Sequence, residues 1–344
     1  MRLTLYYLRL SYITNISPDE DLMDKPLSYS GYGRYMQCPQ YYKYNDIDKI
    51  KAGKDTSALL IGKILDDAVG ALLSGNDNPQ FIIETGLLEA SEKDVEFYAD
   101  DLDFDLVDEQ WVIEQAQSLG WRGDDIRKAM KSFLQEQSNL SPKQKELLRV
   151  VVWSSLEVKV RAMYDSFKKW IYPQIDQIHD IQLHLDDGIT HGYLDFTATL
   201  KDGRKVLFDL KTSKMPYTQD KLTYSPQLSL YAAMHGYEYI GYIVLNKSLN
   251  KNKQKTCMCG YETSGGNRKK CPDCGKDLNI AVNPTSYSQI MVIRVPKQHK
   301  ELTKQALHDT IKAIDAGHFP RNLNACNWLF GKPCPYRNKC WNKE

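Results

Sequence analysis

Residues 208–214 read FDLKTSK: an acid and an amine, Asp209 and Lys211, two positions apart inside the apolar run VLFDLK. A strand normally buries such a run, and burying charge is costly unless the charge is paired or holds a metal. Upstream lie HGYLDFTATL, residues 191–200, and the turn sequence KDGR, residues 201–204. The alternating apolar positions on both sides of KDGR predict a β-hairpin. KDGR favours a three-residue loop of Lys201, Asp202 and Gly203, a type I turn followed by Gly203 in the left-handed conformation. That register sets Asp195 opposite Asp209, and Lys211 projects from the same face because strand side chains alternate. A two-residue Asp-Gly loop would instead put the two aspartates on opposite faces. Two carboxylates and an ammonium at the end of a sheet suit Mg2+ or Mn2+ held by oxygen ligands, with the lysine positioning or deprotonating a water for attack on a phosphodiester. That chemistry favours the three-residue loop. The plain alternative is an ordinary strand ion pair between Asp209 and Lys211.

Outward from the hairpin, IQLHL before it and YIGYIVLNK and SQIMVIRV after it read as further strands. PQLSLYAAMHG and KELTKQALHDTIKAIDAG read as helices. At the other end of the chain LSYSGYGRYMQCPQYYKY has Ser28 or Ser30 as a helix N-cap and Pro39 as its stop, and SALLIGKILDDAVGALLSG is helical up to Gly75. Residues 80–180 keep a helical pattern, including IRKAMKSFLQEQ, without a good strand signal. The expectation is an α/β protein divided into an N-terminal segment (1–26), N-terminal helices (27–75), a helical insertion (76–180), a sheet core (181–250), a cysteine-bearing insertion (251–280) and a closing segment (281–344).

The 344 residues, 42% of them hydrophobic, are enough for a sizeable core. The net charge of +1 conceals an acidic stretch over residues 88–110 and a basic one over 247–276. Charge runs are usually solvated faces, but a basic segment beside the charged strand points toward a polyanionic partner. Arg2 and Arg9 interrupt the apolar N-terminus, and no stretch of 18 apolar residues follows. A soluble, intracellular protein without a membrane partner is expected.

Four of the eight cysteines lie in the basic insertion. Cys257 and Cys259 form a C-x-C pair, Cys271 and Cys274 a C-x-x-C pair, and each pair is followed by glycine. Such knuckles read as a tetrahedral Zn2+ site. Disulfides or unrelated free thiols are the alternatives.

GYLDF, then DLK, then PQLSLY with Gln227 and Tyr231 one helical turn apart resemble, in that order and spacing, the PD-(D/E)XK nuclease superfamily and within it the RecB-like exonucleases. The resemblance implies a restriction-endonuclease-like core, a mixed sheet flanked by helices, here with the helical and zinc-knuckle insertions. It implies that Asp195, Asp209 and the backbone carbonyl of Leu210 bind the divalent metal, that Lys211 is catalytic, and that Gln227 and Tyr231 shape the site and contact DNA. The family's upstream motif is G-x-x-x-H. Here the stretch is GKILDD, so the histidine's role as a metal ligand falls to Asp66, with Asp67 as the fallback. The alternative is two solvent-facing acids on an amphipathic helix. Glu157 is another acid within conceivable reach.

Cys38, standing alone, and Cys326, Cys334 and Cys340 near the end of the chain resemble the ligands of the 4Fe–4S cluster of RecB-like nucleases, including CRISPR-associated exonucleases. The gap between Cys326 and Cys334 is longer than in some relatives, and a second zinc site is the rival reading. The resemblance covers residues 27–74 and 181–341. It implies a metal-dependent DNA exonuclease of recombination, repair or phage DNA metabolism in the bacterial cytoplasm. Single strands or duplex ends would be its substrate and a helicase or recombination protein its partner. A non-cleaving partner of such a complex and an RNA-directed nuclease are the alternatives. Lys269 and Lys270 of the knuckle are candidate DNA contacts. Among 22 tyrosines, Tyr32, Tyr35, Tyr41 and Tyr42 are either base-stacking platforms or filler.

Overall fold

The computed structural model describes residues 26–50, 54–76, 78–98, 100–121, 140–264, 268–326 and 333–341. They form two compact units. One gathers the residues up to 50, His184–Gly192 and the chain from Glu301 onward; the other gathers residues 54 to 183 and Tyr193–Lys300.

In the first unit β1 (Leu27–Ser28) pairs in parallel with Thr190 and His191 and runs directly into α1 (Tyr29–Gln37). Ser28 is the N-cap, its hydroxyl accepting from the Gly31 N–H at 2.9 Å, which satisfies one of the orphan donors of the first turn. Pro39 both ends this helix and opens a short one, Pro39–Tyr42, at the position where its missing N–H costs nothing. Tyr32, Tyr35 and Tyr42 are buried. Tyr35 donates its hydroxyl to the His318 carbonyl at 2.8 Å and meets the Tyr42 ring edge-on. These three rings are core filler, and a base cannot reach them.

The second unit holds the sheet. α2 (Ser57–Leu73), capped by Thr56, α3 (Pro79–Ser91) and α4 (Pro142–Ser166), whose capping box joins Ser141 and Gln144, share one hydrophobic core. Into it come Leu65, Ala68, Ile83, Val152 and Met163 from the helices, and Phe196, Ala198, Val206, Phe208, Leu210, Ile243 and Leu245 from the strands. The strands follow as β2 (Ile175–Asp186), β3 (Thr190–Leu200), β4 (Lys205–Ser213) and β5 (Tyr239–Asn246). After them come β6 (Asn250–Thr256), β7 (Glu262–Ser264), β8 (Asn279–Thr285) and β9 (Ser288–Arg294). β3 pairs antiparallel with β4, β4 parallel with β5, and β5 antiparallel with β9, while β2 flanks β3. The parallel step requires a crossover, supplied by α5 (Pro226–His235), which ends on Gly236 at φ +77°. The result is the mixed sheet flanked by helices that the resemblance implies. Even-numbered residues of β3 and β4 fill the helix-side core, so odd-numbered Asp195, Asp209 and Lys211 belong to the other parity. Gly241 has no room for a side chain: a Cβ would lie 2.6 Å from the Phe208 ring and 2.7 Å from the Met291 carbonyl.

Three features depart from expectation. β2 begins at Ile175, although residues up to 180 read as helical. Its isoleucines at 175, 178 and 181 recur every third residue, which mimics helical periodicity, and Gln182 interrupts the alternation with φ +47°. Around the knuckle, β6 pairs with both β7 and β8 in a small three-stranded sheet that extends beyond 251–280; β6 reads NKNKQKT and carries no apolar alternation to announce it. The acidic stretch is not wholly a solvated face. Asp101 is buried, accepts from Ser57 Oγ at 2.5 Å and Tyr98 N–H at 2.7 Å, and its carbonyl accepts from the buried Lys159 ammonium at 3.1 Å. The stretch IRKAMKSFLQEQ lies outside the described residues.

Candidate active site

The hairpin places the three charges. Gly203 adopts φ +86°, its N–H donates to the Leu200 carbonyl at 2.8 Å, and Leu200 N–H donates to the Arg204 carbonyl at 2.9 Å. This is the three-residue loop, and it sets the register Thr199↔Lys205 through Phe196↔Phe208. Continued one step, that register brings Asp195 opposite Asp209. There the strand pair opens: Leu210 N–H donates to Asp195 Oδ2 at 2.5 Å instead of to the backbone of β3. An extended residue's N–H and C=O point to the same edge, so the Leu210 carbonyl faces the same opening.

Asp209 is buried, 4% exposed, and Lys211 Nζ lies 2.6 Å from its Oδ2. The ammonium is the charged partner of that oxygen, and Oδ2 is itself fully buried. Burial works against the Lys211 ammonium, but the Asp209 and Asp195 carboxylates outweigh it and hold its pKa above the ordinary lysine value. Asp195 is pushed up to about 7, first by burial and then by Asp209, with Lys211 and the Leu210 N–H opposing. Asp66, on α2, is pushed up to about 8 by burial, then by Asp195, with Asp209 and Asp67 adding to the rise and Lys211 opposing it. Asp66, Asp67, Asp195 and Leu210 line one cleft. Too little positive charge therefore faces too many carboxylates. The buried Asp209 carboxylate, the two carboxyls with raised pKa and a backbone carbonyl are an all-oxygen donor set that fits a hard divalent cation.

On α5, Tyr231 is buried, its hydroxyl donates to the Tyr193 carbonyl at 2.5 Å, and Gln227 hydrogen-bonds that same hydroxyl. The Tyr231 pKa is raised to about 12 by burial, with Gln227 opposing and Asp209 and Asp195 adding to the rise. Sequence reasoning missed Tyr242. The parallel register places it beside Asp209, it shares a 2.7 Å hydrogen bond with Ser225, and its pKa is raised to about 12 by burial and by Asp209. Only the pairing across the crossover reveals it. Glu157 is not brought to this cleft; it pairs with Arg161 at 2.9 Å and borders a groove between α3 and α4.

Cys257, Cys259, Cys271 and Cys274 converge, with all four sulfurs within 4.8 Å of one another and contacts of 3.4 Å and 3.5 Å across the two pairs. A tetrahedral ion with ~2.3 Å metal–sulfur bonds sets sulfurs about 3.8 Å apart, so the group fits a Zn2+-sized metal. The Cys257 thiol is lowered to about 7 by the Cys259 N–H and the neighbouring Cys274. Lys269 and Lys270 are exposed on this knuckle. In the first unit Cys38, Cys326, Cys334 and Cys340 line one small cavity walled by Tyr41, Tyr44 and Tyr336. Burial raises the Cys340 thiol, Arg321 opposes, and the other three cysteines add to the rise. Among the described residues only the knuckle packs its sulfurs as tightly as a single ion requires.

The family model of the PD-(D/E)XK nuclease superfamily matches residues 26–341. The chain belongs to that superfamily. No curated protein matches it. For a PD-(D/E)XK nuclease the substrate is nucleic acid and the reaction hydrolytic, typically with a divalent metal. Among the described residues no helix is long and apolar enough to cross a membrane.

Proposed function

We propose that the chain is a Mg2+- or Mn2+-dependent DNA nuclease of the RecB-like branch, working from ends as an exonuclease in recombination, repair or phage DNA metabolism. The observation that carries the reading is the convergence of Asp195, Asp209 and Lys211 at the opened hairpin, with Asp66 in the same cleft. Asp66, Asp195, Asp209 and the Leu210 carbonyl would hold the cation, which when bound supplies Lewis-acid activation of the phosphate and of water. Lys211, kept protonated by its carboxylate neighbours, donates to the attacking water and to the phosphate oxygen on which charge grows. Tyr231 and Gln227 fix the backbone two residues before Asp195 and so hold that carboxylate in place.

The knuckle cysteines would hold Zn2+. Cys38, Cys326, Cys334 and Cys340 would hold a 4Fe–4S cluster, whose own irons and sulfides fill the wider space between the thiolates. Lys269 and Lys270 would meet phosphates of the bound strand. A helicase or recombination protein that exposes ends is the partner such an activity needs. The test is incubation of purified protein with end-labelled linear and with circular DNA, single- and double-stranded, and with RNA, with and without Mn2+. Mn2+-dependent loss of linear DNA while circles persist is expected. Metal-loaded protein that cuts none of these substrates would sink the proposal.

A further inference from the structure

The cleft that holds Asp66 and Asp195 is larger than a phosphate and a cation need. Its volume is ≈ 470 Å³, and it continues along apolar residues of α2, including Val69 and Leu73. Lys63, Gln182 and Tyr193 also line it. Tyr193 stands two residues before Asp195 on β3, hence on the same face and about 6.6 Å further along the strand. Tyr193 is 66% exposed, while its carbonyl is held by the Tyr231 hydroxyl. The ring is therefore carried on fixed backbone and presented to the cleft. Gln182 is exposed and adopts φ +47°, a backbone conformation uncommon for a residue other than glycine. Its amide lies 3.5 Å from Asp67 Oδ1, which places a donor and an acceptor at the cleft. Lys63, exposed, sits one helical turn before Asp66.

We infer that this part of the cleft is a nucleobase pocket that takes one unpaired base beside the scissile phosphate. Tyr193 stacks on the base, Val69 and Leu73 give it an apolar surround, the Gln182 amide meets its hydrogen-bonding edge, and Lys63 meets the neighbouring phosphate. The inference rests on the nuclease reading and narrows it. A base inside an intact duplex is sandwiched between its neighbours and offers no free face, whereas a single-stranded or frayed end does. Aromatic stacking tolerates any base, so the pocket selects unpaired structure ahead of sequence.

The test is equilibrium binding of a dye-labelled oligothymidylate to the full chain in divalent-free buffer, read by fluorescence anisotropy. Tyr193→Ala should weaken binding by about 5- to 150-fold, Tyr193→Phe should restore it, and the melting temperature should stay within a few degrees because the residue is exposed. An abasic oligonucleotide of the same length should bind wild type more weakly and be indifferent to Tyr193→Ala. Gln182→Gly should weaken binding while raising the melting temperature, since it removes both the amide and the backbone strain. Unchanged oligothymidylate binding by Tyr193→Ala, or equal losses on abasic and normal strands, would overturn the pocket while leaving the nuclease reading intact. Wild-type protein that neither binds any strand nor cuts one with Mn2+ would overturn that reading, and the pocket with it.

Discussion

Asp66 is held in a state that opposes folding, and Asp66→Asn should therefore make the metal-free protein more stable while removing its function. The carboxyl rises from the ordinary 3.8 to about 8, first through burial and then through Asp195. A raised carboxylate pKa means that the folded state favours the protonated form. Its contribution to stability is intact below pH ~4, the unfolded value, and is lost as the pH climbs through about 8. Four pKa units at 1.36 kcal/mol each set a ceiling of about 5–6 kcal/mol. The repulsion is shared with Asp195, and buried carboxylates draw in water, so about 1–3 kcal/mol is the realistic share. For a chain of 344 residues, at about 2.1 cal/mol/K of unfolding entropy per residue, that corresponds to roughly 1–4 °C in melting temperature. Calorimetry in divalent-free buffer at pH 5.5 and pH 8.5 should show Asp66→Asn melting above wild type, with the gap widest at pH 8.5. Adding Mn2+ at a hundred times its Kd should then raise wild type by about 2.7 kcal/mol and the variant by distinctly less. A variant that melts below wild type at pH 8.5, or gains as much from Mn2+, would refute the reasoning and move the role to Asp67, whose Asp67→Asn variant is the control.

Lys211→Met should lower kcat by about 10²–10³ and, by leaving Asp209 without its 2.6 Å counter-ion, also lower the metal-free melting temperature at pH 8; single-turnover kinetics and calorimetry separate the two effects. Gly241→Ala should cost about 3 kcal/mol, the upper end of overpacking, because one of the atoms its Cβ meets is the Met291 carbonyl; urea unfolding reads it directly. Anaerobically purified protein should be brown and carry about four irons and one zinc per chain by elemental analysis, with Cys340→Ser losing iron and keeping zinc. Neutralising Lys269 and Lys270 together should flatten the slope of log affinity against log salt by at most about two units, and an unchanged slope returns them to the solvated surface.

The hairpin was legible because KDGR allows few loops: two remained, the chemistry of paired aspartates favoured the three-residue one, and Gly203 takes the positive φ that loop requires. The knuckle was legible for a similar reason, since close pairs of cysteines need only two turns to converge. What escaped was whatever depends on pairing over distance. Tyr242 reaches Asp209 only through the parallel register that follows the α5 crossover, and no local pattern in YIGYIVLNK encodes that register. β6 and β8 find each other across the knuckle, and a polar strand such as NKNKQKT leaves no hydrophobic trace. The first half of β2 misled because isoleucines at every third position fit a helix as well as a strand bent at Gln182. In α2 the buried Leu65 and Ala68 locate the core face, but which of Asp66 and Asp67 feels Asp195 more strongly emerged only with the cleft.

The charges in the apolar run VLFDLK also explain why the hairpin stops pairing where it does. A continued ladder would have Leu210 N–H donate to the backbone of β3, and its carbonyl would be consumed on the same edge. The Asp195 side chain takes the N–H instead, which compensates the lost ladder bond with a charge-assisted one and leaves the carbonyl edge open at the cleft. In the proposed site three donors of different origin, a β3 carboxylate, a β4 carboxylate and the β4 backbone, would then hold one cation without any loop to position them. Buried Leu194 and Phe196 on one side and Phe208 and Leu210 on the other supply the apolar anchoring that keeps both strands in place through the gap. Replacing Asp195 by alanine would accordingly remove more than a carboxylate, since Leu210 N–H would be left without its acceptor. Asp195→Asn preserves an oxygen for that N–H and lowers the charge. A comparison of the two variants separates the carboxylate's structural share, read as melting temperature, from its share in metal binding, read by Mn2+ titration; equal melting temperatures would show that the ladder closes once the side chain is gone.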